Sequence, residues 1–244
     1  MKKPQPRYYQ DDSVSIFHGD CLEILPTLPD CLVMDHLITD PPYFGNVNSN
    51  AVHTPRGQVD KLRRDFGFDH ITSDMPAKVW QVLPIIRRWS LVFSDTENAH
   101  HWQDAAVQED NADHRFMRTM FWHKLNAQPQ ITGDRPAAHV EAITVGHAKG
   151  KSRWHGGGHG NLLQFAIARG FSERFDHGTP KPLRLMRRLI SLFTDPGEII
   201  LDPFGGTGTT AKACKDLGRH CLMIERDEKW CEVAANRLKQ EILL

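Results

Sequence analysis

Asp40-Pro41-Pro42-Tyr43 sets a carboxylate, a rigid carbonyl and an aromatic ring next to one another. A primary amine conjugated to a nucleobase ring is a poor nucleophile, because its lone pair is delocalised. A carboxylate at Asp40 and the carbonyl of Pro41 can each accept one N–H of such an amine. Held rigidly, they favour the pyramidal geometry that aims the lone pair at an electrophilic methyl carbon. The two prolines fix the backbone, and Pro41 brings no N–H to compete. Tyr43 offers a face on which a base swung out of a helix can stack. Such stacking is worth about 1–3 kcal/mol, against an unstacking cost of about a few kcal/mol. The plain alternative is a proline-stiffened loop with a surface aspartate.

A second cluster lies far downstream: Asp202-Pro203-Phe204-Gly205-Gly206-Thr207-Gly208-Thr209-Thr210. Gly206, Gly208 and Ala211 spell G-x-G-x-x-A between a short apolar strand and a helix, and Glu225 closes the next strand. Glycines let the backbone approach a ligand with no Cβ in the way. A carboxylate ending the second strand can accept hydrogen bonds from both hydroxyls of a ribose. The pattern by itself fits NAD as well as S-adenosylmethionine, and its bland reading is a turn that packs helix on strand. No Gly-Lys-Ser/Thr follows, so it is not a phosphate loop. The stretch after Gly208 is short for a full dinucleotide fold or an oxidoreductase's substrate domain. The other strands are therefore expected upstream.

Around these clusters the sequence alternates strands and helices. Residues 14–17 read as a strand leading through His18-Gly19-Asp20-Cys21 into a helix. Residues 32–39 are mostly apolar and stop at Asp-Pro-Pro, where a ladder cannot continue. The polar Asp35-His36 within them points to an exposed sheet edge or a bulge. Residues 90–94 repeat the pattern, and 115–122 and 140–146 are richer in aromatic and β-branched side chains. Leu183, Met186, Leu189, Ile190 and Phe193 recur at helical spacing until Asp195-Pro196-Gly197. Residues 198–201 then form a strand, 209–217 a helix and 219–224 a strand. Asp227 caps a last helix with Trp230, Val233, Ala234 and Leu238 on one face. The class is α/β, with the nucleotide-binding half of a doubly wound sheet at its end. Gly156-Gly157-Gly158 reads as a flexible loop. Trp80 and Trp89 read as core, and Trp122 as core or pocket wall.

At 244 residues, with 40% hydrophobic and 25% charged side chains, the chain can bury the core of one large α/β domain. No run approaches the roughly 18 apolar residues of a membrane span, and Met1 to Asp12 lack the apolar stretch of a signal peptide. Cys21, Cys31, Cys214, Cys221 and Cys231 are scattered, as free thiols of a cytoplasmic protein are. The net charge is zero, which argues against a protein that coats nucleic acid. Phosphate binding needs a basic stripe, however, and not a basic total. Arg56, Lys61, Arg63 and Arg64 form one cluster, Lys149, Lys151 and Arg153 a second, and Lys181, Arg184, Arg187 and Arg188 a third. Solvated loop and helix faces explain any one of them as well. His100, His101, His155 and His159 lack cysteines at zinc-ligand spacing, so no metal is expected. The His155 loop, with Lys151 and Arg153, suits phosphate contacts better.

Taken in order, the motifs resemble those of the S-adenosylmethionine-dependent DNA amino-methyltransferases. They match the permuted β class, in which the catalytic motif precedes the cofactor motif. His18-Gly19-Asp20-Cys21-Leu22, with Leu25 and Leu28, is similar to that family's Gly-Asp motif. Trp122-His123-Lys124, Arg135-Pro136 and His139-Val140-Glu141 resemble the segment near the target base. His177-Gly178-Thr179-Pro180-Lys181-Pro182 resembles the motif beside the methionine tail. The resemblance spans about residues 14–240. It implies a Rossmann-like, doubly wound, mostly parallel sheet with circularly permuted motif order, in a single catalytic domain over 1–244. The space left for target recognition is small, at about 46–75 and 146–176.

The same resemblance assigns roles. Asp40, Pro41, Pro42 and Tyr43 would be catalytic. Asp20 would bind the cofactor's adenine amine, Thr179 and Lys181 its carboxylate end, Asp202 its amine and Glu225 its ribose. Phe204 would lie against the adenine, with Gly206, Thr207, Gly208 and Thr209 forming the turn around it. In this family Asp at the first catalytic position goes mostly with adenine, so N6 of a flipped adenine in double-stranded DNA is the expected target. Cytosine N4, an RNA substrate and a silent nucleic-acid-binding subunit of the same fold are the alternatives. A restriction nuclease fits as a partner; a membrane does not.

Overall fold

Continuous apolar runs, too short for helices, mark strands that are covered on both faces. They build the centre of this sheet. The computed structural model describes residues 6–29, 32–43, 75–80, 85–106, 114–131, 133–168 and 180–240. Its strands are β1 (Tyr9–Gln10), β2 (Val14–His18), β3 (His36–Thr39), β4 (Trp89–Ser94), β5 (His114–Lys124), β6 (Val140–Ala148), β7 (Leu162–Phe165), β8 (Ile199–Asp202) and β9 (His220–Glu225). They lie in the order β1-β2-β9-β8-β3-β4-β6-β5-β7. From β2 to β4 all neighbours are parallel; β6 then runs antiparallel to both β4 and β5.

Side chains alternate across this sheet with a period of two, and each face meets its own helices. Ile16, Ile38, Leu91, Phe93 and Ile200 pack with α4 (Leu183–Phe193), α5 (Thr209–Asp216) and α6 (Glu228–Lys239). Phe17, Leu37, Val92 and Leu201 pack with α1 (Cys21–Ile24), α2 (Met75–Trp80) and α3 (Ala99–Ala106). Trp80, Trp89 and Trp122 are all buried, and Trp122 Nε1 donates to the Phe165 carbonyl. The helix over 183–193 forms as its spacing indicates. It ends where Arg219 donates to the Thr194 carbonyl at 2.7 Å. Asp227 caps α6 by accepting from Lys229 N. No helix among the described residues is long and apolar enough to cross a membrane.

The order of the strands fixes where a ligand can bind. From β3 the chain continues to β4 on one side; from β8 it continues to β9 on the other. The two connections leave in opposite directions, which opens a crevice at the carboxyl ends of β3 and β8. Open α/β sheets bind their ligands at such a switch point.

Two sequence readings need correction. Asp35 and His36 lie neither at an edge nor at a bulge; β3 is central, and both side chains are buried. Asp35 accepts from Arg87 at 2.6 Å and from the Ile199 N–H at 2.9 Å, and His36 Nε2 lies 2.8 Å from Glu198 Oε2. Long-range partners make this polar pair compatible with burial. The strand expected over 32–39 is regular only from His36, with Met34 making a single bridge to Ile86. Gly156-Gly157-Gly158 is a turn folded on Trp154, whose Nε1 donates to the Gly157 carbonyl. A Cβ at Gly156 would fall 2.1 Å from that indole. Of the two stretches set aside for target recognition, the first lies almost wholly outside the described residues. The second begins within β6 and contributes β7.

Glu198 ties β3 to the start of β8. Burial pushes its pKa up, but His36, the Asp195 N–H and Arg88 outweigh that and bring it down from 4.5 to about 2. A depressed carboxyl stabilises the fold above its unfolded pKa and loses that contribution as pH falls through the folded value. Glu198→Gln is therefore expected to lower stability at neutral pH. The difference from the parent should shrink as pH falls from 4.5 towards 2, as read by urea unfolding across that range.

Candidate active site

Asp40 follows directly on β3, and Asp202 ends β8, so parallel pairing brings two segments far apart in sequence to the same crevice. Thr39 Oγ1 joins them, donating to Asp202 Oδ1 at 2.7 Å. Asp202 also accepts from the Phe204 N–H at 3.2 Å. Burial pushes its pKa up to about 6, although Thr210, Thr39 and the Phe204 N–H pull the other way.

The glycine-rich turn is shaped by close packing. Gly208 has φ +73°, and a Cβ there would sit 2.8 Å from the Cβ of Ala234; only glycine suits both conditions. A Cβ on Gly205 would reach within 2.2 Å of the Met223 side chain. Glu225 accepts from the Gly206 N–H and the Asp227 N–H, both at 2.8 Å, which locks the turn to the end of β9. Thr209 Oγ1 and the Thr207 carbonyl both accept from Arg237 of α6. Phe204 is half-buried beside this turn. Asp20 follows β2 and caps α1, with Oδ1 accepting from Leu22 N at 2.8 Å.

Asp20, Glu225, Asp202 and Asp40 thus stand at or just beyond the carboxyl ends of β2, β9, β8 and β3, four adjacent parallel strands. This edge is lined with acceptors and negative charge. Thr179 lies outside the described residues. Lys181, grouped with the cofactor residues by resemblance, has its ammonium on the catalytic loop, 2.5 Å from Asp40 Oδ2.

The antiparallel direction of β6 gives partners to residues that the sequence named only within motifs resembling the segment near the target base. Because β6 runs against β4, its first residues lie at the pole where β4 ends, and Ser94 pairs with Ala142. Glu141 therefore faces the catalytic loop. It accepts from Tyr43 Oη at 2.9 Å and pairs with Lys124, from the end of β5, at 2.7 Å. Glu141 and Lys124 appear in the sequence only inside a mid-chain motif. No local spacing ties them to Asp40, and strand direction alone makes the connection.

The basic cluster at Lys149, Lys151 and Arg153 lies elsewhere. With Arg87, Arg88, His147 and Ser152 it lines a cavity of about 550 Å³. This cavity is at the other end of β4, about 20 Å from the catalytic pole by strand rise. Arg153 is paired with Asp195, and Arg88 with Glu198 at 3.3 Å. The cluster Arg56 to Arg64 is outside the described residues.

Residues 34–236 match the family model described as DNA methylase, of the N6/N4 type. The chain belongs to that family of DNA methylases. Among curated relatives, the Type II methyltransferase M.HinfI of Haemophilus influenzae is 26% identical over 253 residues, covering 93% of this chain and 68% of the relative. The solved M1.HpyAVI–SAM complex is 26% identical with a TM-score of 0.69, covering 92% of this chain and all of its own. The cytosine-N4-specific PvuII DNA methyltransferase shares the fold at a TM-score of 0.74 and 15% identity, over 98% of this chain and 91% of its own.

The Thr39–Asp202 bond is the clasp of the crevice. Thr39→Val is expected to cost about 1–3 kcal/mol, the range for hydrogen bonds to charged groups. That loss should be larger above the Asp202 pKa of about 6 than below it; chemical denaturation on both sides of this value measures it.

Proposed function

We propose that this chain transfers a methyl group from S-adenosylmethionine to the N6 amine of an adenine flipped out of double-stranded DNA. It would act as a permuted, β-class member of its family, through one catalytic domain. The observation that carries the reading is the meeting of Asp40 with an acid-lined edge across the switch point. S-adenosylmethionine is cationic at its sulfonium and ammonium, and its ribose and adenine carry O–H and N–H donors. Asp20, Glu225 and Asp202 complement those groups. The pyrophosphate of a dinucleotide would meet the same carboxylates with like charge.

When bound, the cofactor supplies a methyl carbon activated by positive sulfur, which keeps the electron pair of the broken C–S bond. Asp40 and the Pro41 carbonyl accept the two N–H bonds of the target amine and turn its lone pair towards that carbon. Pro42 stiffens the loop, and the nitrogen's surplus proton passes to water once the N–C bond has formed. Tyr43 presents its ring to the flipped base, with its hydroxyl anchored on Glu141. Phe204 lies against the cofactor's adenine. Gly206, Thr207, Gly208 and Thr209 would hold the cofactor at the turn, and by resemblance Thr179 would meet its carboxylate end. Adenine is favoured over cytosine by the aspartate that opens the catalytic motif. The Type II name of the M.HinfI relative supports a restriction nuclease as functional partner. Buried free thiols at Cys21, Cys214, Cys221 and Cys231 support a reducing, cytoplasmic setting.

Isotope-labelled methyl transfer into unmethylated DNA, followed by nucleoside mass spectrometry, tests the reading. Label is expected in N6-methyladenine. Label in N4-methylcytosine would keep the mechanism and change the base, and no label in DNA would overturn the proposal. Asp40→Ala should lower the rate about 100-fold or more, as loss of a transition-state partner does, while cofactor binding persists. Affinity for S-adenosylmethionine should weaken as pH falls through about 6, where Asp202 gains its proton, and Asp202→Asn should flatten that dependence in calorimetry.

A further inference from the structure

Asp40 is not an isolated carboxylate. Lys181 Nζ donates to its Oδ2 at 2.5 Å, while Oδ1 is shielded from solvent and has no partner among the described residues. The ammonium is itself enclosed, with its side chain 9% exposed. It lies 5.1 Å from the ring centroid of Phe93 and 5.3 Å from that of Tyr43, both within cation–π range. Tyr43 Oη at 3.2 Å and Glu141 Oε2 at 3.3 Å complete its shell. Glu141 is held in turn by Lys124. Two ammoniums therefore face two carboxylates, and the cluster is neutral before any substrate enters.

The placement of Lys181 has no local cause. It stands one residue outside Pro182, the N-cap of α4, where a cation opposes the helix macrodipole. Enclosure makes that worse unless anions are near. Asp40 and Glu141 are those anions.

We infer that Lys181 is the counter-ion and positioning residue of Asp40: it occupies Oδ2 and leaves Oδ1 uncommitted for the target amine, while Glu141, anchored by Lys124, fixes where Lys181 and Tyr43 stand. This rests on Asp40 being the amine acceptor. It takes Lys181 away from the cofactor's carboxylate end, to which motif resemblance sends it. A protonated Asp40 would turn a donor towards an amine that must itself donate, so the carboxylate has to be ionised. Burial and Glu141 push its pKa up, and Lys181 opposes them. Among the described residues, the groups that face Asp40 are Lys181 before α4, Glu141 from β6, Tyr43 from its own loop and Asp202 from β8. Lys181 is the only cation among them. Removing it favours protonation of Asp40, and removing the charge of Glu141 does the reverse.

The test is single-turnover methyl transfer against pH, with S-adenosylmethionine and DNA both saturating. In Lys181→Met the acidic limb should move up by about 1 pH unit or more, with cofactor affinity by calorimetry unchanged. In Glu141→Gln the limb should move down, and Lys181→Arg should keep it near the parent's. A limb that stays put in Lys181→Met, with cofactor affinity lost instead, overturns the inference and returns Lys181 to the cofactor. If Lys181→Met does not fold, Glu141→Gln and Lys181→Arg decide; a limb raised in Glu141→Gln overturns it. A parent that labels no DNA overturns the proposed function separately. In that event, titration of the Asp40 carboxyl by carbon-13 NMR in parent and variants still judges the Lys181 pairing without turnover.

Discussion

The crevice between β3 and β8 is closed by one buried hydrogen bond, from Thr39 Oγ1 to Asp202 Oδ1. The arrangement of the site depends on it. Two loops separated by most of the chain stand side by side here, and the proposed reaction needs both, one for the methyl acceptor and one for the cofactor. Neither loop can shift without breaking a bond to a carboxylate that burial has already made costly. The divergence of the connections after β3 and β8 provides the space, and the hydroxyl of Thr39 adds a side-chain bond to the ladder that pairs the two strands.

Charge is distributed along that edge with a clear division. From β2 to β3 the strand ends carry carboxylates, which suits a cationic ligand rich in donors. Beyond β3 the cations enter: Lys181 on Asp40, and Lys124 on Glu141. The antiparallel β6 is what makes this possible. Had β6 run parallel to β4, Glu141 would lie at the far pole, beside Arg87 and Arg88, and Tyr43 would lose its anchor. The far pole has its own basic cavity, but its arginines are paired: Arg87 with Asp35 before β3, Arg88 with Glu198 before β8, and Arg153, after β6, with Asp195. In the parts described here, those cations serve the fold.

The glycine-rich turn shows how packing and ligand geometry draw on the same residues. Gly208 is needed by its backbone angle and by Ala234 behind it, quite apart from any ligand. Glu225 spends hydrogen bonds from both of its oxygens on the turn itself. A motif recognised for binding is thus also a motif that makes helix, strand and turn compatible.

The amino-acid sequence by itself determined the strands and helices of the C-terminal quarter, the Asp-Pro-Pro-Tyr loop after β3, the glycine-rich turn and the carboxylates that end β8 and β9. Those signals are local: apolar periodicity, prolines that stop a ladder, glycines where a backbone must turn, an aspartate where a helix begins. The resemblance of the motifs was carried by the same short stretches. What only the tertiary structure decided was the company each residue keeps. Asp35 and His36 looked like edge residues because their partners, Arg87, Ile199 and Glu198, belong to other segments. Trp154 packs on the Gly156 turn and donates to its Gly157 carbonyl. Glu141 and Lys124 reach the Asp40 loop because β6 runs antiparallel to both β4 and β5. Lys181 joins Asp40 across 141 residues of chain. Strand order and direction are set by how whole faces are buried, and no window of sequence contains that information.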